Sequence, residues 1–234
     1  MKVLAVDTST VIATCAVMED ENLLGEYSLN QNMSHSENLV PMIKEVLDSL
    51  KLHVRDIDLY GVAVGPGSFT GLRIGIATVK AFAHVYNKPI VGISTLEALA
   101  FNLSFNGLIV PMIDARRNRV YTGIYRWKRD RLINVMEPTV MDINNLIETL
   151  PKEENILVNG NAVYIHKDHI KDKLGDRVHF AQNIHNHCRA LSVAELALKK
   201  VDNTGNANYY NLVPEYIKES QAQGELRKKE SDII

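Results

Sequence analysis

The chain has 234 residues, 46% hydrophobic and 23% charged, with 13 glycines, 7 prolines and 2 cysteines. That composition belongs to a folded protein, excludes a disordered chain, a collagen or a disulfide scaffold, and allows one large domain or two small ones. A net charge of −2 argues against a dedicated nucleic-acid or membrane-surface binder, whose affinity needs a strong basic excess.

Residues 2–6 form a β-rich run that ends on Asp7-Thr8-Ser9-Thr10, a turn composition. Two further strands follow, at 11–18 and 23–29. Ser34-His35-Ser36-Glu37 reads as a capping box. Behind it Leu39, Ile43, Val46, Leu47 and Leu50 recur at helical spacing, so the helix carries one apolar stripe. Pro41 falls in its first turns, close to amides that lack intrahelical partners. A strand at 59–64 leads into Gly65-Pro66-Gly67-Ser68-Phe69-Thr70-Gly71, then a helix over 72–86, a short strand at 90–93 and a helix over 95–103.

From Leu108 the order begins again: strands near 108–113, 119–126 and 131–136, a helix at 142–150, a strand at 155–159, a helix near 161–173, a strand at 177–180 and a helix at 190–201. Both halves read βββαβαβα. The expected organisation is an α/β protein with an N-terminal domain over 1–104, a C-terminal domain over 105–203 and a tail over 204–234, within which Pro214-Glu215-Tyr216-Ile217 can dock back on the body.

Cys15 and Cys188 form no CxxC pair or zinc spacing, which fits a reducing cytosol. No stretch has the length of a signal or membrane-spanning segment, so a cytoplasmic protein with no membrane contact is expected.

Chemistry concentrates in three places. The Gly65–Gly71 loop supplies a tight turn and free amides at a helix start, which can hold an anion, yet it lacks the GKS or GKT of a Walker loop and the spacing of GxGxxG. Gly71 and Gly75 within the helix alternatively let another backbone approach, from the same chain or another subunit. Asp7 and Ser9 close the first strand where α/β sheets hold ligands, so Asp7, Ser9, Gly65 and Gly67 are weak nucleotide-binding candidates; an ordinary Asx turn explains the first two equally well.

The third place is residues 116–131, where seven basic side chains stand against the single acid Asp130, a local +6 that leaves −8 elsewhere. With Tyr121, Tyr125 and Trp127 interleaved, Arg116, Arg117, Arg126 and Arg129 are weak RNA-contact candidates, against a solvated sheet edge as the plainer reading. His166, His169, His179, His185 and His187 lack paired zinc spacings, and no metal site is expected.

Leu4-Ala5-Val6-Asp7-Thr8-Ser9, Ser34-His35-Ser36-Glu37-Asn38-Leu39, the Gly65–Gly75 block, Lys80-Ala81-Phe82-Ala83 and Pro89-Ile90-Val91-Gly92-Ile93-Ser94-Thr95-Leu96 resemble, in that order, the TsaB (YeaZ) family. Asp114-Ala115-Arg116-Arg117, Val120-Tyr121 and Pro214-Glu215-Tyr216 extend the likeness over nearly the whole chain. The resemblance implies the duplicated actin-like ATPase fold (ASKHA, ribonuclease H-like). It also implies a role in making threonylcarbamoyladenosine beside the anticodon of tRNAs that read A-starting codons, with the catalytic paralogue TsaD and the ATPase TsaE as partners.

TsaD chains carry His-x-x-x-His at the positions that match Thr95 and Leu99, and leucine has no ligand atom. The expectation is therefore a non-catalytic scaffold with no catalytic residues or cofactor of its own, ATP and a divalent metal being used by the partner subunits, and with tRNA reached through the complex. Its expected interface is His35, Leu39, Ile43, Val46 and Leu50 on one helix with Gly71, Leu72, Gly75, Ile76 and Val79 on the next, serving TsaD or a homodimer. The rival is an independent enzyme, an actin-like small-molecule kinase or a glycoprotease-like hydrolase, for which Asn159-Gly160-Asn161 makes a poor second phosphate loop.

Overall fold

The computed structural model describes residues 1–30, 35–204 and 211–217. The first half comprises β1 (Lys2–Asp7), β2 (Ala13–Glu19), β3 (Asn22–Leu29), α1 (His35–Ser49), β4 (Leu59–Gly65), α2 (Phe69–Tyr86), β5 (Ile90–Ser94) and α3 (Thr95–Phe101). The second comprises β6 (Leu108–Asp114), β7 (Arg119–Lys128), β8 (Arg131–Asp142), α4 (Ile143–Thr149), β9 (Ile156–Asn159), α5 (Val163–Leu174), β10 (Val178–Phe180) and α6 (Ala190–Thr204).

Two five-stranded sheets result, ordered β3-β2-β1-β4-β5 and β10-β9-β6-β7-β8. In each, the first three strands form an antiparallel meander and the last two add in parallel beside the first. The duplication legible in the element order is thus a duplication of topology. β1 and β4 are buried almost throughout and read as near-continuous apolar runs, as parallel strands covered on both faces do.

Three boundaries differ from expectation for identifiable reasons. α2 starts at Phe69, because the Ser68 hydroxyl accepts the Gly71 amide at 3.2 Å and caps the helix three residues early. β8 runs on to Asp142 through Pro138, which a sheet-edge strand tolerates because the missing amide need not face a neighbour. Pro41 is the seventh residue of the described part of α1, past the first turn, so it removes an interior hydrogen bond; both Pro41 and Glu37, whose carbonyl loses that bond, lie on the exposed face. Ser34, the expected cap, lies outside the described residues.

The helices that end the two halves change places. α3 follows the first sheet, yet Leu96, Leu99 and Ala100 are buried with Ile109, Ile113, Tyr125 and Leu157 of the second. α6 follows the second sheet, yet Val193, Ala194 and Ala197 are buried with Val3, Ala5, Leu59 and Ala63 of the first. A split of the chain near residue 104 therefore divides it in sequence but not in packing. Amphipathic spacing shows that a helix buries a stripe and leaves open what the stripe meets.

Polar ties reinforce the exchange. Asn159, at the end of β9 and fully buried, donates to the Leu99 carbonyl at 2.9 Å and to the His185 carbonyl at 3.0 Å. Trp127 donates its indole N–H to the Leu103 carbonyl at 2.6 Å, and Arg189 pairs with Glu26. Asn159-Gly160-Asn161 thus acts as a structural tie. Asn159→Ala is expected to strand two buried carbonyls and cost about 1–3 kcal/mol, read as a lowered urea midpoint with an unchanged slope.

Candidate functional site

The strands that open the two halves end alike. Asp7 Oδ1 accepts the Ser9 amide at 2.8 Å, and Asp114 Oδ1 accepts the Arg116 amide at 2.8 Å, so both β1 and β6 finish in an Asx turn. The two turns contribute to one cleft of about 610 Å³, lined among others by Ser9, Thr10, His35, Ser68, Asp114, Arg116 and Tyr121. Sequence reasoning missed the second turn as the counterpart of the first; the readable signal was an Asp closing the opening strand of each half. Arg116, Arg117 and Asn118 all take positive φ, at 63°, 53° and 58°, a costly run for residues with a side chain.

On the first half the start of α2 lies directly on the β1–β2 turn. The Ser68 amide donates to the Ser9 carbonyl at 2.6 Å, and the Thr8 hydroxyl donates to the Gly71 carbonyl at 2.7 Å. A Cβ on Gly71 would collide with the Thr8 carbonyl oxygen, one on Gly67 with the Ser9 carbonyl oxygen, and one on Gly75 would stand 2.5 Å from Thr8 Oγ1. The glycines bring the backbone of α2 onto the β1–β2 turn, which is the close-approach reading of these residues with the partner inside the same chain.

Asp7, Ser9, Gly65 and Gly67 do converge, but on one another. Asp7 has no exposed surface and Ser9 is 1% exposed, while Ser9 and Gly67 still line the cleft, so a ligand there would meet the edge of this group and not the Asp7 carboxylate. Asp7 Oδ2 has no hydrogen-bond partner among the described residues and lies near the Cys188 thiol. Burial raises the Asp7 pKa, an effect opposed by the Ser9 and Cys188 contacts and by His35. Burial, with the Asp7 charge adding to it, likewise pushes the Cys188 thiol well above its ordinary value. The His35 ring anchors α1 to the same turn through Nε2 and the Thr10 carbonyl, 2.7 Å apart.

The expected interface residues require a second correction. Leu39, Ile43, Val46, Leu72, Ile76 and Val79 are buried in the first hydrophobic core, with Leu50 packed against it, and Gly71 and Gly75 face Thr8. None of these can meet a partner without unpacking the monomer. What the two helices expose is another set: Val40, Pro41 and Lys44 on α1, and Thr70, Ala77, Ala81 and Val85 on α2. At 100° per residue Thr70, Ala77 and Ala81 lie on one ridge, with Gly71 about 80–120° and Gly75 about 120–160° around the helix from it. Ala77 and Ala81 leave that ridge flat, which suits close helix approach.

The basic segment forms no single patch. Arg116 and Arg117 stand at the cleft end of β7 and Arg129 at the far end, about 30 Å away for a ten-residue strand. Arg126 is engaged by Glu154 at 2.7 Å. Trp127 is spent on the core contact with Phe101 and the Leu103 carbonyl. The histidines are also scattered: among the described residues no three His, Cys, Asp or Glu side chains are placed to hold a metal ion. No helix among those residues is long and apolar enough to cross a membrane.

Comparison with known proteins gives three kinds of likeness. Residues 22–226 match the family model described as TsaD, tRNA N6-adenosine threonylcarbamoyltransferase. The tRNA threonylcarbamoyladenosine biosynthesis protein TsaB of Bacillus subtilis (strain 168) is 32% identical over 225 residues, 95% of this chain and 96% of that one. Among solved structures, YeaZ from Pseudomonas aeruginosa superposes with a TM-score of 0.76 at 22% identity, over 92% of this chain and 99% of that one. The activator of 2-hydroxyisocaproyl-CoA dehydratase from Clostridium difficile, solved with bound ADPNP, superposes at 0.51 and 8% identity, over 88% and 97%. These likenesses and the two sheets identify the fold as the duplicated actin-like one.

The buried Asp7 carries a pH signature. Its folded pKa lies above the ordinary 3.8, so its stabilising contribution is full below that value and is lost as pH rises through the folded one. Asp7→Asn keeps an acceptor for the Ser9 amide and removes the charge. The variant is expected to melt higher than the parent at pH 8, with the gap closing as the pH falls towards 4.

Proposed function

The chain belongs to the TsaB family of tRNA threonylcarbamoyladenosine biosynthesis proteins, and on that premise we propose that it is a non-catalytic subunit that docks on TsaD through the outer face of α1 and α2. The observation that carries this reading is the division of α2 into two faces. Its glycine face is consumed by the β1–β2 turn. Its Thr70, Ala77 and Ala81 ridge stands exposed, as do Val85 on the same helix and Val40 on α1, which are 70% and 49% exposed.

The positions that match the metal-binding histidines of TsaD support the absence of catalysis. Thr95 has no exposed surface and Leu99 is 1% exposed, with Leu99 in the core that joins the halves. A ligand atom at these positions would be cut off from substrate. The exchange of α3 and α6 builds each core partly from the other half's sequence, so the two halves are interlocked. An interlocked body suits a scaffold, with ATP, divalent metal and transfer chemistry belonging to TsaD and TsaE and tRNA reached through the assembly. The same face serves self-association when TsaD is absent.

A charged side chain on the flat ridge tests the assignment. Ala77→Arg is expected to weaken TsaD binding at least tenfold in titration calorimetry while the melting temperature stays within a degree or two of the parent, since the position is exposed. Undiminished binding would remove the ridge from the interface.

A further inference from the structure

The short segment 211–217 lies against the first half although it follows everything else in the described chain. The Glu215 amide donates to the Val64 carbonyl at the end of β4, at 2.8 Å, and Lys80 reaches the Leu212 carbonyl at 3.1 Å. Tyr216 stacks on Phe69 with ring centroids 4.8 Å apart and accepts from Arg73 Nε at 2.8 Å, while the Arg73 guanidinium lies 3.8 Å from the Phe69 centroid. Leu212 packs against the first core. Gly65, at φ 126°, admits the Glu215 carbonyl oxygen to within 2.7 Å of where its Cβ would be, so the sequence of β4 is fitted to the segment.

The contacts fall on one line of α2. Phe69, Arg73 and Lys80 recur at i, i+4 and i+11, a single stripe that the segment follows for three helical turns. That stripe borders the Thr70, Ala77 and Ala81 ridge. On its other side the segment meets the second half: Tyr121 of β7 lines, with Pro66, Phe69, Glu215 and Tyr216, a pocket of about 190 Å³. The segment therefore contacts the docking helix and the end of β4 and faces the second sheet across that pocket.

We propose that residues 211–217 act as a latch that holds the first turns of α2 in the orientation that docking requires, with Tyr216 and Leu212 as positioning residues. The proposal rests on the docking reading above, and it adds that a partner's affinity is set in part by a segment more than a hundred residues away in sequence. An aromatic clamped by a cation and a second ring is a strong point of attachment. Leu212 and Tyr216 are the two side chains through which the segment is anchored, with the Glu215 and Leu212 main chain bonded between them.

The test uses three variants of the 234-residue chain. Leu212→Ala combined with Tyr216→Ala removes both anchors, Tyr216→Phe keeps the stack and loses the bond to Arg73, and Ala77→Arg alters the ridge alone. Hydrogen exchange of the free chain and TsaD affinity are read for each. The double variant is expected to speed exchange of the peptide covering residues 69–75 at least tenfold and to weaken TsaD binding about tenfold. Tyr216→Phe should stay within threefold of the parent in both, and Ala77→Arg should lose binding with its exchange unchanged. Unchanged exchange at 69–75 in the double variant would overturn the latch, and so would faster exchange with TsaD affinity held within twofold. If Ala77→Arg binds normally, the docking face is wrong, and the exchange of the double variant still decides whether the segment holds α2.

Discussion

Everything distinctive about this chain follows from how closely α2 approaches the β1–β2 turn. Gly67, Gly71 and Gly75 let the helix backbone sit on Thr8 and Ser9, with the Ser68 amide and the Thr8 hydroxyl completing the joint. At the end of the first strand, where sheets of this kind hold ligands, main-chain atoms of α2 lie on Thr8 and Ser9 and Asp7 is buried beneath them, while Ser9 and Gly67 line the open cleft. The contact turns the glycine face of α2 inward and so bears on which residues the helix offers to the outside.

The second constraint is the exchange of α3 and α6. Each half lends its last helix to the other's core, and Asn159 stitches α3 and the segment before α6 to the end of β9. Leu96 and Leu99 are thereby tied to the second core and Val193 and Ala197 to the first, so each half is completed by the other's sequence. That interlocking agrees with a subunit that supplies a surface.

Much of the fold was legible because the element types rest on local patterns: the β-rich apolar runs of β1 and β2, the 3.6-residue stripe from Leu39 to Leu50, and punctuation such as Asn87-Lys88-Pro89. Pairing across sequence was less legible. The stripe on α1 and the Leu72, Ile76, Val79 stripe on α2 were visible as apolar faces, and an apolar face is as compatible with a partner as with a core; the structure shows both in the core. The glycine pair signalled close approach correctly, while the approaching backbone, Thr8, lay more than sixty residues away. The latch was hinted at by Pro214-Glu215-Tyr216-Ile217, but its seat depends on Phe69, Arg73 and Lys80, whose common stripe has no meaning until the segment is laid against it.

The central claim is that the outer face of α1 and α2, rather than the cleft or the second half, meets TsaD. Hydroxyl-radical footprinting of the chain alone and in complex with TsaD reads this directly, because exposed side chains are available on both halves. The account predicts strong protection of Val40, Val85 and Tyr86, with Tyr164, Ile165 and Ile184 of the second half oxidised at the same rate in both states. Protection of Tyr164, Ile165 and Ile184 with Val40 and Val85 unchanged would contradict it.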